Sequence, residues 1–212
     1  MQYSLAELAD DVHGAIDRAE AALRLEQAVR GLDSLDELGL QSVVAGGLVD
    51  RYEVAREVHY PSSAGARLSH RKRCDLVLSP RGRPLRIDSR PAGLFDHPNP
   101  CPPGEALWIE VKAAYQFREG GVRHGGYGAQ WRSAVVEDLR KIESEPLVRE
   151  AALLLLVFTE SLEVLDKDLQ LFEDVLVTRE VLAGFRQVRS VGILDRIGHR
   201  FCTATLWPTV QR

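Results

Sequence analysis

At 212 residues and 45% hydrophobic content, the chain is long enough for one sizeable core and short for two, so a single α/β or α+β domain spanning 1–212 is expected. No stretch approaches the roughly 18 uninterrupted apolar residues of a membrane span, and Glu7, Asp10 and Asp11 stand where a signal peptide needs basic and then apolar residues. A cytoplasmic protein with no membrane partner is therefore expected; Cys74, Cys101 and Cys202, odd in number and never in a C-x-x-C pair, argue against a disulfide framework and a zinc knuckle.

The net charge of −4 hides an asymmetry. Acids dominate before Pro61, whereas from Arg67 to Arg90 the residues Arg67, Arg71, Lys72, Arg73, Arg81, Arg83, Arg86 and Arg90 face only Asp75 and Asp88. Such a stripe can neutralise phosphates even on an acidic protein, and a solvated hairpin explains it equally well.

In chain order, Ser4-Leu5-Ala6-Glu7 is a capping box that predicts a helix through Ala15, Ile16, Ala19, Leu23 and Ala28 to Gly31. Ser34-Leu35-Asp36-Glu37 repeats the signal and opens a second helix through Leu40, Val43, Val44 and Leu48. The period then changes to two. "YEVAREVHYP" reads as a strand ended by Pro61, and "RCDLVLSP" as another, with "RPLRI" returning as its hairpin partner after Pro80-Arg81-Gly82. Asp88 to Gly104 is proline-rich and aperiodic, a long loop. "EALWIEVKAAYQF" is the next strand, "GGVRHGGYG" a flexible connector, and "AQWRSAVVEDLRKIES" a helix. "AALLLLVFTE" has the look of a strand buried on both faces. A helix near Leu162 to Phe172 and the strands "FRQVRSVGIL" and "HRFCTATLWP" complete the chain.

The strand "LWIEVKA" carries the chemistry. Leu107, Ile109, Val111 and Ala113 alternate with Glu110 and Lys112, which places a carboxylate and an ammonium roughly 6.6–7 Å apart on one face. Isolated charges in a strand interior are costly unless paired or bound to a metal. An ion pair between the two inside an assembly subunit is one explanation. Asp75, mid-strand in "CDLVL", supplies a second carboxylate and another. Two hard oxygen ligands suit Mg²⁺, which polarises a phosphoryl oxygen and activates a water, and a nearby ammonium orients that water or balances developing charge.

The order helix, "AREVHYP", "RCDLVL", "LWIEVKA" and helix "WRSAVVEDLRKI" resembles the PD-(D/E)XK nuclease superfamily over about Ser34 to Glu160. The resemblance implies a restriction-endonuclease-like α/β fold, a mixed sheet flanked by helices, with residues 1–33 as an accessory N-terminal helix and 161–212 as a C-terminal helix and strands. It implies that Asp75, Glu110 and the Val111 main-chain carbonyl hold Mg²⁺ or Mn²⁺, that Lys112 serves the water, and that a further acid, Glu37 or Glu57, completes the metal site. Gln130 and Lys141 match polar positions on the helix after the E-x-K strand, and Arg71, Lys72, Arg73, Arg81 and Arg83 would follow a nucleic-acid backbone. The expected activity is metal-dependent hydrolysis of DNA, with RNA open as a substrate, in defence against foreign DNA or in repair. A homodimer or a subunit of a larger nuclease or defence complex is compatible with it, and the alternative is a catalytically inactive module binding nucleic acid or protein. Cys74 stands where the family has a nominal proline. "GGVRHGGYG" lacks a P-loop's G-K-[ST] ending, the histidines have no metal spacing, and Trp108 and Trp131 read as packing residues.

Overall fold

The structure is a computed structural model in which residues 3–63, 72–87 and 97–209 are described. Helices α1 (Leu5–Leu25) and α2 (Glu37–Leu48) precede strands β1 (Tyr52–His59), β2 (Arg73–Pro80) and β3 (Leu107–Tyr115). A two-stranded ribbon, β4 (Phe117–Arg118) and β5 (Val122–Arg123), leads into α3 (Tyr127–Glu143). Strand β6 (Glu150–Thr159), α4 (Leu162–Thr178), β7 (Gln187–Gly192) and β8 (Phe201–Pro208) follow. The main sheet has the order β1-β2-β3-β6-β8-β7. It is mixed: β3 and β6 run parallel, and every other neighbouring pair is antiparallel. A parallel pair needs a crossover, and the ribbon and α3 provide it.

Strand alternation sorts the apolar side chains into two layers. Leu76, Leu78, Leu107, Ile109, Leu154 and Leu156 face α1 and α2, whereas Leu153, Leu155 and Val157 face Trp131, Val135 and Leu139 of α3 and Leu165, Leu169 and Phe172 of α4. The run "AALLLLVFT" is buried throughout, as a central strand covered on both faces must be. Helix α1, expected to be accessory, is built into the main core through Leu8, Val12 and Ile16. It meets α2 at Gly47, where an added Cβ would come 2.2 Å from the Ala15 Cβ. All three cysteines are buried free thiols.

Several boundaries differ from the pattern reading. Helix α1 stops at Leu25 instead of reaching Gly31, because Gln27 turns into the left-handed region with φ of 52°. "RPLRI" forms no strand among the described residues: Leu85 makes a single parallel bridge to Cys101, and the second edge of β2 is taken by β3. Part of "GGVRHGGYG" pairs as the β4–β5 ribbon, so α3 begins at Tyr127. Helix α4 runs on to Thr178, keeping its apolar stripe through Leu176. At α2 the N-cap is Asp36, whose Oδ1 accepts from the Gly39 N–H at 2.8 Å, while Ser34 sits in a short 3-10 turn and donates to the Gly31 carbonyl at 2.7 Å. Glu37 is thereby freed from the capping-box role.

Candidate active site

The site begins where β2 and β3 part. Their paired residues end at Leu76 opposite Ile109, and continuing that register would set Asp75 opposite Glu110. The main-chain ladder gives way there to a side chain: Asp75 Oδ2 accepts from the Val111 N–H at 2.7 Å. A carboxylate thus replaces a carbonyl as the ladder acceptor, which holds Asp75 beside the E-x-K segment and opens a fork in the sheet.

Glu110 is 1% exposed. Its Oε1 accepts from the Tyr60 hydroxyl at 2.6 Å and pairs with the Lys141 Nζ, also at 2.6 Å. Burial, with the adjacent Asp75 charge, pushes its carboxyl up to about 7, against the opposing pull of Lys141 and Tyr60. Tyr60 is held by stacking on Trp108, with ring centroids 5.3 Å apart, and burial pushes its phenol far up, so it remains a donor.

Lys112 does not pair with Glu110. Its Nζ lies 3.1 Å from Glu37 Oε1 and 3.3 Å from Asp138 Oδ2, one acid from α2 and one from α3. Burial pulls its ammonium down, but the Asp138 and Glu37 carboxylates outweigh it and the net shift is upward, so Lys112 is charged at neutral pH. Glu37 and Asp138 are themselves raised, chiefly by burial. Four carboxylates (Glu37, Asp75, Glu110, Asp138) therefore surround two ammoniums (Lys112, Lys141), an excess of negative charge that a hard divalent cation would balance. Among the described residues no three His, Cys, Asp or Glu side chains form a ready-made cation cage. The donor set on offer is two carboxylates and the Val111 carbonyl with water, which suits Mg²⁺, an ion that binds few protein groups.

A cleft of about 330 Å³ opens beside Lys112, lined by Glu37, His124, Tyr127, Gln130 and Trp131. Larger hollows of about 760 and 610 Å³ lie elsewhere, the first around Arg30, Asp33 and Arg196 and the second around Glu53, Arg86 and His97; neither is lined by Asp75, Glu110 or Lys112. The smaller cleft takes in Lys112 and its partner Glu37, while Asp75 and Glu110 lie behind it and do not line it.

No family model, curated protein or solved structure matches the chain.

The predicted residues divide as follows. Asp75, Glu110, Val111, Lys112 and Glu37 come together, and Gln130 lies exposed on the cleft wall. Glu57 does not join them: it occupies a left-handed kink in β1 with φ of 52°, exposed to solvent, 3.9 Å from Arg73. The kink breaks the alternation that would have turned it towards the polar face. Lys141, matched in sequence to a polar position of the helix, reaches inward instead, its Nζ 2.6 Å from Glu110 Oε1. The basic stripe is split between the two ends of β2. Lys72 and Arg73 lie at the end near Asp75, whereas Arg81 and Arg83 lie beyond the other end, roughly 20 Å away at ~3.3 Å per residue. There Arg81 binds the Asp50 carbonyl and Arg83 pairs with Glu105 at 2.8 Å. Arg71 falls outside the described residues.

Asp138 and Tyr60 were missed. Asp138 directly precedes Leu139 of the buried stripe Trp131, Val135, Leu139, Ile142, and it shares a helix face with Lys141. A charged i, i+3 pair flanking the apolar stripe was the available signal. Tyr60, placed on an apolar strand face beside Pro61, gave no sign of its polar role.

Proposed function

We propose that this chain is a metal-dependent nuclease that hydrolyses DNA phosphodiester bonds. The observation that carries the reading is the fork in the sheet, where Asp75 and Glu110 meet on adjacent strands with Lys112 held beside them. Asp75, Glu110 and the Val111 carbonyl would hold Mg²⁺ or Mn²⁺, which supplies Lewis-acid polarisation of the phosphoryl oxygen and a more acidic water. Lys112 stays protonated and so acts as a cation, orienting the attacking water and balancing charge on the phosphorane-like transition state. Glu37, 3.1 Å from Lys112 and raised by burial, accepts the proton that the water releases. Tyr60 keeps Glu110 oriented. Asp138 holds Lys112 from the α3 side.

One observation favours the alternative of an inactive binding module: each charge already has a partner, Lys112 with Glu37 and Asp138, Lys141 with Glu110, and Asp75 with the Val111 N–H. Incubation with linear, circular and single-stranded DNA in Mg²⁺ or Mn²⁺, beside an EDTA control and the Asp75→Asn variant, separates the two. Metal-dependent cleavage lost in EDTA and in the variant is expected. DNA binding without cleavage under every condition would leave the binding module.

A further inference from the structure

Lys141 occupies an unusual place. Its Nζ lies 2.6 Å from Glu110 Oε1, the same oxygen that accepts from the Tyr60 hydroxyl at 2.6 Å, and sits 5.4 Å from the Tyr60 ring centroid. That oxygen already takes two short, strong donors. The two differ in freedom. Tyr60 is 1% exposed and stacked on Trp108, so its hydroxyl is fixed by packing. Lys141 reaches Glu110 along a flexible four-carbon stem, keeps 21% of its side chain exposed, and has a second acid, Asp138 Oδ1, at 3.9 Å to receive it.

We infer that Lys141 is a resident counter-ion that holds the cation's position at Glu110 and yields it when a divalent cation enters. The inference rests on the nuclease reading only through that cation. An ammonium and a divalent cation compete for the same carboxylate and repel each other at contact distance, so the two bind Glu110 in exchange. In the metal-free protein the ammonium keeps a buried carboxylate from standing unpaired, which would be strongly destabilising. Once displaced, Lys141 swings towards Asp138, on the α3 side of Lys112. The exchange makes Lys141 a positioning residue that presets Glu110 for metal and weakens metal binding by the same competition.

The test is calorimetric titration of Mn²⁺ into the full chain at near-neutral pH and low salt, comparing the wild type with Lys141→Met and Lys141→Arg. Lys141→Met keeps much of the stem and removes the charge; it should bind Mn²⁺ about tenfold more tightly, within the usual range of coupling between two linked ligands. Lys141→Arg keeps the charge and should stay near the wild type, which also covers the case in which Lys141→Met fails to fold. Equal or weaker Mn²⁺ binding by a folded Lys141→Met, or markedly tighter binding by Lys141→Arg, overturns the exchange. If the wild type cleaves DNA in Mn²⁺ while Lys141→Met gains no affinity, the exchange falls alone. If neither protein binds Mn²⁺ and the wild type does not cleave, the nuclease reading falls and the exchange with it.

Discussion

Replacing Lys112 with Met tests the site most sharply, because it removes one charge and leaves most of the packing. The structure sets the size of the stability effect. Lys112 is 24% exposed and pairs with Asp138, 14% exposed, and with Glu37, 38% exposed. Breaking a fully buried pair costs about 3–5 kcal/mol, and an exposed pair is worth about 0–1 kcal/mol. The Glu37 arm is only partly buried and Asp138 retains Lys141 at 3.9 Å, so the loss should be about 1–2 kcal/mol. For a chain of this size that lowers Tm by roughly 2–8 °C. The effect on chemistry should be far larger: removing a preorganised charge from the transition state should slow cleavage by about 10²–10³-fold. Plasmid cleavage in Mg²⁺ and thermal melting by circular dichroism, on the same preparation, give both numbers. Cleavage within a few fold of the wild type would remove Lys112 from the chemistry. A loss beyond ~5 kcal/mol, or a melt without cooperativity, would make the ion-pair network the reason for the residue.

Tyr60→Phe keeps the stacking on Trp108 and deletes one donor to Glu110, so urea unfolding should show a loss of about 1.5–3 kcal/mol. Glu110 should also tilt stability with pH: its folded carboxyl lies near 7, above the unfolded value of 4.5, so the native state binds the extra proton between them and stability from this group falls as pH rises through that window. The fall, up to about 3 kcal/mol, should be much reduced in Glu110→Gln when both proteins are unfolded in urea across that range, and parallel curves would contradict it. For DNA binding, the double change Lys72→Gln and Arg73→Gln should flatten the salt dependence by about 0.9 in log–log slope per lost phosphate contact, whereas Arg81→Gln with Arg83→Gln should leave it unchanged. Equal effects at the two ends of β2 would restore a single continuous stripe.

The sequence by itself determined the long helices and the six strands of the main sheet and which residue types sit mid-strand, though not the fate of "RPLRI" or the β4–β5 ribbon. A period of two in "RCDLVL" and "LWIEVKA" and the unbroken apolar run of β6 leave few alternatives for burial, and alternation alone set Glu110 and Lys112 apart from the apolar face. Asp75, Glu110 and Lys112 were legible because charges are costly within strands. What those charges pair with was decided only by the tertiary structure, since a partner is chosen by distance across elements far apart in the chain. Lys112 found Glu37 and Asp138 instead of Glu110, and Glu110 found Lys141 and Tyr60. Local pattern also could not choose between Glu37 and Glu57. A cap shifted to Asp36 released the first, and a left-handed kink turned the second away; both are backbone events that side-chain periodicity does not record.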